Sequence, residues 1–130
     1  MLGDTPSIAT IAVKDIGAAS KFYEGTLGLT RLDMPNPDPS AVMYRTGSSA
    51  ILVYQSGYAG TNQATYASWA VGDDIGSVVD DLKSKGVVFE QYDDLPGITR
   101  EGDIHVMDGL KSAWFKDPDG NILNVVNQSM

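Results

Sequence analysis

Residues 112–126 read Ser112-Ala-Trp-Phe-Lys-Asp-Pro-Asp-Gly-Asn-Ile-Leu-Asn-Val-Val126, and the reading of this stretch decides the fold. Two apolar runs flank Asp117-Pro-Asp-Gly120. Proline presets φ for a turn, glycine tolerates φ > 0, and the aspartates can accept bonds from the turn's own amides. The pattern is that of a β-hairpin with a loop of about four or five residues. The same pattern occurs earlier. Ala41-Val-Met-Tyr-Arg-Thr-Gly-Ser-Ser-Ala-Ile-Leu-Val-Tyr54 aligns with it without a gap, Tyr44 on Phe115, Arg45 on Lys116, Ile51 on Ile122 and Leu52 on Leu123. The chain reads as one module written twice.

Working outward, residues 7–13 are short and rich in β-branched side chains, which predicts a strand. Asp15 is placed to cap a helix running from Ile16 to about Leu27, with Ile16, Ala19, Phe22, Tyr23 and Leu27 on one face. Gly28 ends it. A second strand follows at residues 29–32, then a proline-rich loop at residues 34–40, then the first hairpin at residues 41–45 and 50–55. Residues 57–64 form a linker, and the order restarts: a strand at 65–71, a cap at Asp73 or Asp74, a helix face of Ile75, Val78, Val79 and Leu82, Gly86 as its end, and a strand at 87–92. Val13 to Val71 and Gly28 to Gly86 are both offset by 58, whereas the hairpins are offset by 71. The 13-residue difference is an insertion within residues 93–109, and a long loop inside a compact domain is usually functional or mobile. Each module is therefore β-α-β-β-β: module one at residues 7–56, module two at 65–127. A sheet carrying one helix has one covered and one bare face, so two modules can place their bare faces around a shared concavity.

With 130 residues, 42% hydrophobic and 20% charged, the chain reads as one globular domain with room for a core. It has no apolar run long enough for a membrane span. There is no cysteine, hence no disulfide, thiolate metal site or cysteine nucleophile, which fits the cytoplasm. Seventeen acidic against nine basic residues give a net charge of −8. That argues against nucleic-acid binding and favours a cationic ligand at long range, unless the charge serves solubility alone. No Walker or dinucleotide-binding glycine pattern is present.

The pieces Val13-Lys-Asp15, Phe22-Tyr23 with Leu27-Gly-Leu29, Val71-Gly-Asp73, and Ala113-Trp-Phe115 with Asp117-Pro-Asp-Gly-Asn121 resemble the vicinal oxygen chelate superfamily. That superfamily includes glyoxalase I, extradiol dioxygenases, fosfomycin-resistance enzymes and bleomycin-resistance proteins. The resemblance spans nearly the whole chain and implies an α+β fold. Two βαβββ modules form a cup-shaped mixed sheet within a single domain, residues 1–130, usually as a homodimer.

In metal-dependent members of the family a His or Gln stands seven residues before each strand-end Asp, and a Glu four residues after the turn Gly. Here those positions hold Ile8, Tyr66 and Asn124, and the module-one equivalent of Asn124 is Val53. The four include no carboxylate and no imidazole, which divalent cations require. The resemblance, less its metal set, implies no metal and no cofactor. It removes the direct route to the metal-polarised reactions of the family. Strand alternation puts Ile8, Thr10, Tyr66, Ser68, Val53, Gln55 and Asn124 on the side where the metal would stand, and the resemblance adds Ser112, Trp114 and Met43. Trp69 and Tyr54, of opposite parity, are assigned to the core.

Met43, Tyr66, Ser68, Ser112, Trp114 and Asn124 would line a cup suited to a planar or aromatic molecule, or would pack together and fill it. Arg100, in the insertion, would pair with a ligand anion or with a neighbouring acid. His105 is the only histidine; it is either a general base or an ordinary surface or hydrogen-bonded residue. Asp117 and Asp119 are read as turn chemistry, without a catalytic role. The leading expectation is a metal-free small-molecule binding protein. Its rivals are a metal-independent isomerase or lyase using Tyr66 or His105 as acid/base, and a regulatory module with a closed cup.

Overall fold

Each half of the chain begins with a short strand that hands over to a helix through an acidic turn. The computed structural model describes all residues except Met1, Thr5, Asn36, Pro37, Ser129 and Met130; part of the proline-rich loop therefore lies outside the described residues. Contacts divide the chain into two units, Met1–Asn62 and Gln63–Met130, and the division falls within the expected linker.

In the first unit the strands are β1 (Ala9–Val13), β2 (Thr30–Leu32), β3 (Ala41–Thr46) and β4 (Ser49–Gln55). They lie in the order β1-β4-β3-β2, with β1 parallel to β4 and the other pairs antiparallel. Asp15 caps helix α1 (Ile16–Ser20): its carboxylate accepts the Gly17 N–H at 2.9 Å. The helix continues as a π-helical turn over Lys21–Thr26, where Leu27 N–H reaches back five residues to the Phe22 carbonyl. Gly28 then adopts φ 73, a conformation that disfavours any residue with a Cβ. Leu29 N–H closes the end on the Tyr23 carbonyl. Ile11, Val13, Tyr23, Tyr44 and Val53 are buried in this unit's core.

The second unit holds β5 (Thr65–Ala70), β6 (Thr99–Glu101), β7 (Ile104–Met107), β8 (Leu110–Lys116) and β9 (Ile122–Val126), in the order β5-β9-β8-β7-β6. Helix α2 (Ile75–Ser84) buries Ile75, Val79 and Leu82, three of the residues its periodicity singled out. It ends in a Schellman motif: Val87 N–H bonds to Leu82 O, Gly86 N–H to Lys83 O, and Gly86 has φ 92. The apolar residues of the sheet, Ala113, Phe115, Leu123 and Val125, are buried with Phe89. Trp69 pairs with Val125 and so shares that face, as its parity required.

Four expectations are corrected. Neither Asp73 nor Asp74 caps α2 with its side chain; a 3-10 turn at Gly72–Asp74 leads into the helix instead. Residues 87–92 do not form a strand. Only Phe89 bridges to Phe115, the same pairing that Arg31 makes with Tyr44 in the first unit. The insertion is not a structureless loop but the hairpin β6–β7, which supplies the fourth and fifth strands of this sheet.

The fourth concerns register. Met43 pairs with Leu52, whereas Trp114 pairs with Asn124, so the gapless alignment fails by one residue after the turn. Thr46 and Ser49 close a two-residue turn, while three residues separate Asp117 from Asn121, which are joined by Asp117 N–H to Asn121 O. Leu52, not Val53, is thus the counterpart of Asn124. Val53 pairs with Ile11 and Val42 and is 1% exposed in the core. Tyr54, expected in the core, is 37% exposed, because the same shift moves it to the face of Met43. Among the described residues no helix is long and apolar enough to cross a membrane.

Candidate functional site on the second sheet

The side-chain period of a strand is two, so residues paired across strands stand on the same face. In the second unit two such rows lie next to each other. One runs Ser68–Asn124–Trp114 across β5, β9 and β8. The next runs Ala70–Val126–Ser112–His105–Arg100 across all five strands. Ser68, Ser112, Trp114, Asn124, His105 and Arg100 are thereby brought to one face of one sheet.

His105 is a buried strand residue, 2% exposed, not a surface loop histidine. Its Nε2 accepts the backbone N–H of Tyr92 at 2.8 Å. A ring nitrogen that accepts carries no hydrogen, so the neutral imidazole has its proton on Nδ1. Nδ1 is buried without a hydrogen-bond partner among the described residues. The ring lies edge-to-face with Trp114 at 5.0 Å and tilted against Tyr92 at 5.8 Å; Tyr92 meets Trp114 at 5.5 Å. These three rings form an aromatic cluster at the margin of the face. The indole N–H of Trp114 donates to Thr65 Oγ1 at 3.2 Å. Burial pushes the Tyr92 hydroxyl above the ordinary phenol range, with the nearby Glu90 carboxylate adding to it. Asn124 is 6% exposed, and its Oδ1 also has no partner among the described residues.

The remaining predicted residues fall elsewhere. The register slips between Thr65 and Ala67, leaving Tyr66 at a β-bulge, and it is Thr65 that accepts the Trp114 indole N–H. Arg100 shares the His105 row, but its Nε donates to Asp93 at 2.8 Å and its guanidinium also reaches the Gly102 carbonyl. Of its two expected roles, the pair with a neighbouring acid is the one formed. Met43 belongs to the first unit, where it borders a cavity of about 470 Å³ together with Arg31, Leu32, Asp33, Met34 and Asp38. Thr65 and Tyr92 were missed by sequence reasoning. The bulge has no signature in the sequence, and Tyr92, at the end of an expected strand, lies beside no motif that would point to His105. Asp117 behaves as turn chemistry: Oδ1 accepts the Asp119 and Asn121 N–H groups at 2.9 Å each, and Oδ2 accepts Asn121 Nδ2 at 2.7 Å.

The family's metal does not fit this donor set. Taken unit by unit, the corresponding positions hold Ile8 and Leu52 (in place of Val53) in the first, and Tyr66 at the bulge, with Thr65 beside it, and Asn124 in the second; neither unit offers a carboxylate or an imidazole there. The single imidazole on the face, that of His105, has one nitrogen committed to Tyr92 and the other protonated. Among the described residues no three His, Cys, Asp or Glu side chains converge.

The sequence profile of the Glyoxalase/Bleomycin resistance protein/Dioxygenase superfamily matches residues 6–125, and the chain belongs to that superfamily. Several solved structures share the fold. A glyoxalase family protein from Enterococcus faecalis is 20% identical, with a TM-score of 0.70 over 97% of this chain and 99% of that one. A bleomycin-binding protein solved in complex with bleomycin is 20% identical, with a TM-score of 0.67 over 96% and 98%. A fosfomycin resistance protein from Listeria monocytogenes is 14% identical, with a TM-score of 0.65 over 96% and 91%. No curated protein sequence matches the chain. The fold is α+β, built from βαβββ-like modules with two mixed sheets.

Proposed function

We propose that this protein binds a small aromatic or cationic molecule without a metal ion, and that the polar–aromatic face of the second sheet is the main part of the site. The observation that carries this reading is the aromatic cluster Tyr92–His105–Trp114 on the same sheet face as Ser68, Ser112 and Asn124. Rings offer a planar ligand a surface, and the polar side chains around them can fix its orientation. The bleomycin-binding protein of the same fold is a precedent for binding, and the net charge of −8 favours a cation at long range. A homodimer belongs to the same proposal, since each sheet ends in an outer strand with exposed residues, β2 in one and β6 in the other.

Native mass spectrometry of gently purified protein tests the binding reading, with the co-purified molecule then titrated against variants. Trp114→Ala is expected to weaken binding tenfold or more, about 1.4 kcal/mol. Unchanged affinity would remove this face from the site, and stoichiometric metal would overturn the metal-free reading.

A second reading is a metal-independent isomerase or lyase. It is favoured by the ring of His105, which is anchored through Nε2 and directs a single protonated nitrogen. Tyr66, at the bulge, has no comparable support. This reading requires an activity with a pH profile that His105→Asn abolishes.

A further inference from the structure

Strand β2 leaves the first sheet early. Its last pair is Leu32 with Met43, whereas β3 begins at Ala41. The segment that follows β2 carries Pro35 and Pro39, and proline offers no N–H to continue a ladder. Ala41 and Val42 therefore pair with β4 alone. Beside them lies a cavity of about 470 Å³, within the range of roughly 300–1,000 Å³ that small-molecule sites occupy. Every residue that lines it belongs to the first unit.

The lining has two chemistries. Ile16, Leu32, Met34, Pro39, Val42 and Met43 form an aliphatic wall, with no aromatic side chain among the described residues. Methionine thioethers adapt to the shape of an apolar guest. The charged members do not cancel. Arg31 Nη2 is engaged at 2.9 Å by Glu24, which is not part of the lining. Asp33 and Asp38, both exposed, have no basic partner among the described residues. Asp38 Oδ1 accepts the Ser40 N–H at 2.9 Å and the Ser40 hydroxyl at 2.7 Å. These bonds hold the Asp38 carboxyl below the ordinary aspartate range and leave its Oδ2 without a partner among the described residues.

We propose that this cavity, built from the first unit alone, is a binding site for a small aliphatic ammonium compound. The alkyl or alicyclic body of the ligand lies against Ile16, Leu32, Met34 and Met43, and its ammonium is met by the carboxylates of Asp33 and Asp38. Because those carboxylates are exposed, the ammonium keeps part of its hydration and avoids the full cost of burying a charge. The net charge of −8 raises the local concentration of cations. An anion finds no free cation here, since Arg31 is held by Glu24. The proposal goes beyond the reading of the second sheet and does not rest on it; either can fail without the other.

The test uses the full chain and three probes that share a cyclohexylmethyl group: the cation of cyclohexylmethylamine, neutral cyclohexylmethanol and the anion cyclohexylacetate. Carbon–proton NMR of the methionine methyl groups is expected to show Met34 and Met43 shifting saturably with the ammonium in the millimolar range. The ammonium is expected to bind about fivefold more tightly than the alcohol, as exposed ion pairs allow, and the carboxylate more weakly than either. Added salt is expected to narrow the gap between ammonium and alcohol. The double variant Asp33→Asn, Asp38→Asn, which keeps an acceptor oxygen for Ser40, is expected to bring the ammonium down to the affinity of the alcohol. Met34→Ala is expected to weaken both. If the double variant does not fold, the ranking of the probes and its salt dependence still decide. Equal affinity for ammonium and alcohol, a preference for ammonium that survives the double variant or high salt, unchanged binding in Met34→Ala, or no saturable shift of Met34 and Met43 at tens of millimolar ammonium each overturns the inference. Ammonium-induced shifts confined to Tyr92, Trp114 and their neighbours also overturn it, and assign the cation to the second sheet instead.

Discussion

At the scale of single residues, the first unit hangs one polar network on a buried phenol. Tyr44 is fully buried, and its hydroxyl donates to Glu24 Oε2 at 2.9 Å, the same oxygen that Arg31 Nη2 meets at 2.9 Å. The Arg31 guanidinium, and after it the Tyr44 hydroxyl, hold the Glu24 carboxyl below the ordinary carboxylate range against the opposing effect of burial. Burial pushes the Tyr44 hydroxyl up, so it remains a donor throughout the neutral range. Tyr44→Phe is expected to cost about 1 kcal/mol in chemical denaturation, the net worth of one hydrogen bond. No loss would mean that the Arg31 pair alone sets the position of Glu24. None of this was legible in the sequence, which marked Tyr44 only as the partner of Phe115 in a repeat. The turn at Asp117 was legible, because its bonds close within four residues and depend on residue type alone.

At the scale of elements, the β6–β7 hairpin is what places His105. It is tied down at its turn: Asp103 meets Lys83 of α2 at 2.8 Å and accepts from Gln91 Nε2 at 3.2 Å. The Lys83 ammonium, followed by the Gln91 amide, holds the Asp103 carboxyl below its usual range. A carboxyl whose folded pKa is lowered binds fewer protons in the native state than in the unfolded one. Its stabilisation is therefore complete above the ordinary aspartate value of about 3.9 and is lost as pH falls through the lowered value. Asp103→Asn is expected to shrink the loss of stability on acidification in that window. It should also speed amide hydrogen exchange in β6, β7 and at Tyr92 while leaving β1–β4 unchanged. Unaltered exchange at Tyr92 would show that the hairpin is held by its pairing to β8 alone. The 13-residue insertion was legible as a departure from the repeat. Its folding into two strands was not, since Thr99–Glu101 is entirely exposed and carries no apolar alternation.

At the scale of the whole molecule, the two units repeat one topology with different contents. The row Thr10–Leu52–Met43 in the first unit matches Ser68–Asn124–Trp114 in the second, so the second unit carries an amide and an indole where the first carries two aliphatic side chains. The proposed homodimer predicts a light-scattering mass of twice the 13.9 kDa of the chain. With a net charge of −8, self-association carried by outer strands should tighten as salt screens the repulsion. A mass of one chain at every salt and protein concentration would remove the dimer.

By itself the sequence determined the repeat, the Asp15 cap, the glycine helix ends, the Asp117 turn, the superfamily and the absence of ligand-type side chains at the family's metal positions. Each of these depends on residue type and on neighbours a few positions away. Only the tertiary structure decided which face each strand residue occupies and what His105 touches. One residue fewer in the first hairpin turn exchanges Val53 for Leu52, and one slip beside Tyr66 brings Thr65 to Trp114. A strand's side chains alternate with period two, so a single-residue shift in pairing moves the strand to the opposite face. That pairing is set by hydrogen bonds between segments far apart in the chain, which no local pattern specifies.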